Sequence, residues 1–149
     1  MCDHCGCRSF PAIAELTGEH EEILDLAWTV SEAVRAGQPA PVVELATLRR
    51  LLDSHVIKEE TGLYPLLIGE GDLTNELLGQ LEEEHREIGE VLDVGGFSRK
   101  EYFALAAHIE TEESELFPCA MFAFDDERWE AMLSAHREAE TTTAASDSP

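Results

Sequence analysis

The chain has 149 residues, 44% of them hydrophobic, which suits one globular domain with a single core. Ten Lys and Arg stand against 32 Asp and Glu, a net charge of −22, and that balance argues against nucleic acids and anionic membrane surfaces as partners. No stretch approaches the roughly 18 apolar residues of a membrane helix, and no basic-then-apolar signal region opens the chain, so a cytoplasmic location is expected.

Residues 1–10, MCDHCGCRSF, form a Cys-rich leader. In a reducing compartment, Cys2, Cys5 and Cys7 read as a second metal or redox site rather than a disulfide framework. Three thiols do not close a tetrahedral site; His4, Cys119 or a second chain would complete it. Cys119 itself reads as a packed core thiol.

Pro11 suits the first turn of a helix. The apolar seam of that helix runs Ile13, Leu16, His20, Ile23, Ala27, Val30, Val34. Gly37 and the Pro39/Pro41 pair end it. A second helix begins near Pro41 with the seam Leu45, Leu48, Leu52, His55, Glu59, and Gly62 and Pro65 break or kink it. A third starts near Asp72 or Leu73, carries Leu78, Leu81, His85, Ile88, Leu92, and closes at Gly95-Gly96.

Ser98, with Glu101 three residues on, spells a capping box for a fourth helix with Leu105, His108, Glu112, Leu116 on its seam, and Pro118 marks a kink or end. A fifth, shorter segment, 125–140, places Trp129, Met132, Leu133 and His136 on one side; His136 reads as an ordinary helix histidine. The polar residues 141–149 are expected to be a disordered tail. The fold class is all-α, an antiparallel up-down-up-down four-helix bundle over residues 11–140 with a short additional C-terminal helix.

One stretch is written twice. Residues 55–65 read HVIKEETGLYP and residues 108–118 read HIETEESELFP, sharing His, three residues, Glu-Glu, two residues, Leu, an aromatic and Pro. Residues four apart on a helix lie one turn above each other. Each copy therefore sets an imidazole beside a carboxylate, His55 with Glu59 and His108 with Glu112. A lone pair of that spacing is commonly a surface pair, and a lone seam histidine is commonly a hydrogen-bonded core residue.

Here, however, His20, His55, His85 and His108, four of the six histidines, fall one on each of four apolar seams. Ionisable groups are costly there unless paired or coordinated. The metal-ligand set is thus His20, His55, Glu59, His85, His108 and Glu112. Four imidazoles and two carboxylates are too many for one tetrahedral zinc. They suit two metals, each held by two histidines, with both carboxylates bridging. Nitrogen and oxygen donors without thiolate fit iron or manganese, and zinc also. The order His-x-x-x-Glu separates the site from ferritin-like Glu-x-x-His sites.

His20, His55-x-x-x-Glu59, His85 and His108-x-x-x-Glu112, in that order on successive helices, resemble the hemerythrin-like (HHE cation-binding) family over about residues 11–120. The resemblance implies a four-helix bundle and a non-haem di-iron centre, two iron ions (Fe2+/Fe3+) bridged by oxide or hydroxide. His20 and His55 would bind one iron, His85 and His108 the other, and Glu59 and Glu112 would bridge them.

Two departures matter. Oxygen-carrying members have a second third-helix histidine, where this chain has Gly89; Tyr64 and Tyr102 are candidates to fill that gap. Their last ligand is an aspartate one residue beyond the position of Glu112, where this chain has Glu113. The resemblance therefore implies binding of, or reaction with, a small diatomic or peroxide ligand, O2, NO or peroxide, for sensing, scavenging or storage. The same order resembles the family's iron–sulfur cluster repair proteins, which implies as an alternative an iron donor in cluster repair or iron homeostasis. A structural metal-binding bundle is the third reading.

Overall fold

The computed structural model describes residues 9–146; Cys2, Cys5 and Cys7 lie outside the described residues. Those described form helices and no strands. Helix α1, Pro11–Arg35, begins at the proline as expected, with the Phe10 carbonyl accepting from the Ala14 amide at 2.9 Å. It ends ahead of Gly37, which takes the left-handed backbone (φ 70°) that glycine adopts without steric cost. Helix α2 spans Val42–Lys58 and a short α3 spans Tyr64–Glu70.

Helix α4, Asn75–Val94, starts later than Asp72 or Leu73, because the Thr74 hydroxyl accepts from the Leu77 amide at 3.1 Å and so fixes the cap there. Helix α5, Arg99–Thr111, opens on the expected capping box of Ser98 and Glu101. Helices α6, Phe117–Ala123, and α7, Asp126–Ser146, follow.

One expectation needs correction. The last helix is not short: it has 21 residues and includes 141–146, part of the expected tail. Its threonines are accommodated by bonding back within the helix, Thr141 Oγ1 to the Arg137 carbonyl at 3.0 Å and Thr143 Oγ1 to the Ala139 carbonyl at 2.9 Å.

Of the alternatives read at Pro65 and Pro118, a kink against a break or end, the break or end is excluded, because the helical backbone runs on through both. Ahead of each, the chain widens into a single π turn, Glu59–Leu63 and Glu112–Leu116. The Tyr64 amide donates to the Glu59 carbonyl and the Phe117 amide to the Glu112 carbonyl, five residues back rather than four. A proline placed next has no α-helical amide bond to lose. In both turns a hydroxyl serves the carbonyl four residues back: Thr61 to Ile57 and Ser114 to Glu110, each at 2.6 Å. The duplicated sequence is thus a duplicated structure.

Helix α1 packs against α2 and α5, and α7 packs against α2 and α1. The apolar core falls into two clusters. One contains Ile13, Leu16, Leu63, Leu67, Leu81, Leu116 and Phe117; the other contains Ile23, Ala27, Leu48, Leu52, Ile88, Leu105 and Ile109. His20 lies between Leu16 and Ile23, and His85 between Leu81 and Ile88. The polar layer therefore sits between two apolar ones. Cys119 packs, half-buried, on the edge of the first cluster. No helix among the described residues is long and apolar enough to cross a membrane.

Candidate metal centre

The six residues expected to converge do so. His20, His55, Glu59 and Glu112 form one group, and Glu59, His85, His108 and Glu112 a second; within each, one ligand atom per residue lies within 4.8 Å of the others. Glu59 faces both groups. Its Oε2 is 3.2 Å from His55 Nε2 and 3.6 Å from His20 Nε2, while its Oε1 is 3.2 Å from His85 Nε2. Glu112 Oε1 lies 3.3 Å from His20 Nε2 and 3.4 Å from His108 Nε2. The carboxylates are completely buried and the histidines nearly so.

Among these atoms His20 Nε2, His108 Nε2, both Glu59 oxygens and Glu112 Oε1 have no hydrogen-bond partner. Buried polar atoms are rarely left so. Convergent lone pairs without donors are the donor set of a cation site, and mixed imidazole and carboxylate ligation suits iron, manganese or zinc.

Each imidazole is held from behind. His20 Nδ1 donates to Glu113 at 2.8 Å, His55 Nδ1 to Glu19 at 2.8 Å, His85 Nδ1 to Glu60 at 2.7 Å and His108 Nδ1 to Glu84 at 3.0 Å. A carboxylate on Nδ1 fixes the ring and presents Nε2 inward. The aromatic that follows each π turn stacks on a histidine from the other half: Phe117 on His20 with ring centroids 5.6 Å apart, and Tyr64 on His85 at 6.0 Å.

The four outer carboxylates escaped the sequence reading, but a signal for them exists. Leu16 to Ile23 and Leu81 to Ile88 share Leu-x-x-Glu-His-x-Glu-Ile. The Glu before each lone histidine serves the histidine of the following repeat, and the second Glu of each Glu-Glu pair serves a lone one. The two halves are thus related by sequence, π turn and hydrogen bond.

Without cations, charge in the cage is balanced by protons. Burial pushes His20 down, but Glu112, Glu113 and Glu59 outweigh it and hold the imidazole well above its ordinary pKa. Burial likewise opposes charge on His85, yet Glu59 and Glu60 push it up to about 10. His55 is raised by Glu59 and Glu19 against its burial. Burial would raise Glu59, but the cation on His55 and the neighbouring Glu112 hold it well below the usual range. Glu112 is raised, by burial and then by the negative charge of Glu59.

Of the two tyrosines, Tyr64 reaches the centre. Its hydroxyl donates to Glu112 Oε2 at 2.6 Å and lies 3.5 Å from His85 Nε2; burial and the charges of Glu59 and Glu112 keep it protonated. Tyr102 packs instead on Trp28 and Phe103. Tyr64→Phe is expected to destabilise the metal-free protein by about 1–3 kcal/mol, the cost of stranding a buried acceptor, measured by urea denaturation.

At Gly89, where a third-helix ligand is absent, the Arg49 guanidinium lies over the backbone: Nη1 donates to the Gly89 carbonyl at 2.7 Å, and a Cβ there would meet Nη1 at 3.1 Å. A cavity of about 750 Å³ opens beside the inward donors, with Ile23, Leu52, Ile88, Leu105 and Ile109 on its walls.

His136 lies on α7, outside both groups of candidate ligands. It is buried, with Nδ1 donating to Glu15 at 2.7 Å, in a network centred on Lys58 rather than in either group above.

Helices that bury four imidazoles and two carboxylates facing one another, with five of the inward atoms lacking a hydrogen-bond partner, define a helical cation-binding protein. The hemerythrin HHE cation-binding domain matches residues 11–94, more than half of the chain, and the chain belongs to that family. It is also 48% identical over 52 residues to the iron-sulfur cluster repair protein YtfE of Edwardsiella ictaluri (strain 93-146), an alignment that covers 34% of this chain and 24% of that protein. No solved structure gives a significant match.

Proposed function

We propose that the chain is a non-haem di-iron protein, built on an antiparallel four-helix bundle, that binds or reacts with O2, NO or peroxide. In this reading His20 and His55 hold one ion, His85 and His108 the other, and Glu59 and Glu112 serve both. The observation that carries it is the set of buried inward atoms without hydrogen-bond partners, shared between two groups through Glu59 and Glu112.

A pair of irons supplies redox chemistry toward diatomic and peroxide ligands. The residues do the rest. Glu19, Glu60, Glu84 and Glu113 orient the imidazoles, and Tyr64 holds a proton at its hydroxyl against Glu112. The cavity gives a small ligand room beside the inward atoms, with apolar Ile23, Leu52 and Ile88 and charged Arg49, Arg50 and Asp53 in its lining. The four imidazoles and two shared carboxylates would hold the ions, and no further protein ligand is assigned to them.

The test is metal analysis with a visible spectrum of protein purified in air. About two irons per chain, with near-ultraviolet bands that bleach on reduction and change on adding NO, are expected. Stoichiometric zinc and a colourless protein would overturn the reading in favour of a structural bundle.

A second reading has its own support, the identity shared with a protein named for iron–sulfur cluster repair. As an iron donor, the chain would lose iron to an apo-cluster protein faster than to a small chelator of equal affinity. Cys2, Cys5 and Cys7 are the candidate contacts of the leader with a recipient, and replacing them by serine would remove that advantage without altering the di-iron spectrum.

A further inference from the structure

The two repeats differ at six places, three of which change the chemical character of the side chain, and two of those three meet on α7. Lys58 stands where the second copy has Thr111, and Gly62 where it has Glu115. Lys58 is 1% exposed, and its ammonium donates to Glu15 at 2.8 Å, Glu19 at 2.5 Å and Glu140 of α7 at 3.0 Å. Burial opposes its charge, but these three carboxylates outweigh that and keep it cationic. Glu15 in turn holds His136 of α7. Gly62 lets α7 come close: a Cβ there would lie 3.2 Å from Ala135 Cβ.

Glu19 is therefore clamped at both oxygens, Oε1 on His55 Nδ1 and Oε2 on Lys58. Its counterpart Glu84 is 34% exposed and accepts from His108 Nδ1. Thr111 makes no such link, its hydroxyl bonding back to the Ala107 carbonyl at 3.2 Å.

We infer that Lys58 is a positioning residue that, with Glu140 and His136 of α7, locks Glu19 and hence His55, so that the His20/His55 half of the centre holds its cation more tightly than the His85/His108 half. The inference rests on the metal-binding reading above. An outer carboxylate fixed at both oxygens cannot rotate away from its imidazole. One fixed at a single oxygen and open to water can, and outer-shell partners of this kind are worth roughly 10–100-fold in metal affinity.

The test titrates Fe(II) under argon into the metal-free full-length protein against a competing chelator, for the wild type, Lys58→Thr and Glu140→Gln. The wild type is expected to show two binding steps separated by roughly 10–100-fold. Lys58→Thr should weaken the tighter step by a similar factor and leave the weaker one nearly unchanged, so that the steps converge. Glu140→Gln, a change at a largely exposed side chain that spares the fold, should act in the same sense but less.

A second readout needs no metal. The imidazole nitrogen shifts of His55 in the metal-free protein should move in both variants, while those of His108 stay. Two equal steps in the wild type, equal weakening of both steps, or an unmoved His55 would overturn the inference and leave the metal reading standing. A wild type that takes up no second ion would instead overturn the two-metal reading and the inference with it. If Lys58→Thr does not fold, Glu140→Gln decides by the same criteria.

Discussion

Glu59→Ala is expected to cost both metal ions at once, whereas His55→Ala should cost one. The reason is the division of the Glu59 carboxylate, with Oε2 toward His55 and His20 and Oε1 toward His85. Glu112 also stands in both groups, but it faces His20 and His108 through Oε1 alone, its Oε2 accepting from Tyr64. The variant should also be less stable without metal. Glu59 is wholly buried against histidines that it helps to keep charged, and removing one partner of a buried charge pair costs about 3–5 kcal/mol. Metal content after dialysis against a chelator reads the first effect and thermal denaturation of the metal-free proteins the second. One ion retained with wild-type affinity would show that Glu59 belongs to one site only.

The second large effect is on pH. In the metal-free protein His85 is pushed from 6.5 up to about 10, against its burial, by Glu59 and Glu60. A histidine raised on folding stabilises the fold fully below its unfolded value and loses that contribution as pH rises through its folded value. The stability of the metal-free protein should therefore fall progressively between pH 6.5 and about 10, by an amount on the order of a few kcal/mol for this residue. His20 and His55, raised in the same direction, add to the slope.

Bound cations take the place of these protons. The loaded protein should lack the decline, metal uptake should release protons, and affinity should rise with pH. Urea denaturation at a series of pH values, with and without metal, measures all but the proton release, which a pH indicator dye follows. A metal-free protein whose stability is flat across that window would mean that its histidines are neutral.

Much of the centre was legible before the fold, and the reason is that its information is local. Helical period puts His20 among Leu16 and Ile23, and four-residue spacing puts Glu59 over His55; neither depends on any other helix. The capping box at Ser98 and the start at Pro11 are local in the same way, and the structure keeps both. Signals of this range also disclosed the six inward residues that the structure brings together.

What only the tertiary structure decided depends on reach between helices. Which carboxylate supports which imidazole is a matter of register: Glu60 serves His85 and Glu113 serves His20, both across the molecule. The two prolines, read as kinks or ends of their helices, follow widened turns whose carbonyls find amides five residues on. The choice between Tyr64 and Tyr102 rested on which phenol lies under the polar layer.

The length of α7, underestimated from its polar residues, and the burial of His136 follow from a partner surface. Lys58 and Gly62 create that surface on one repeat, and Thr111 and Glu115 do not on the other. By itself the sequence determined the helices and their inward donors, because those follow from a short-range period. The asymmetry between the two halves needed the packed structure, because a buried lysine has meaning only through the carboxylates that two other helices bring to it.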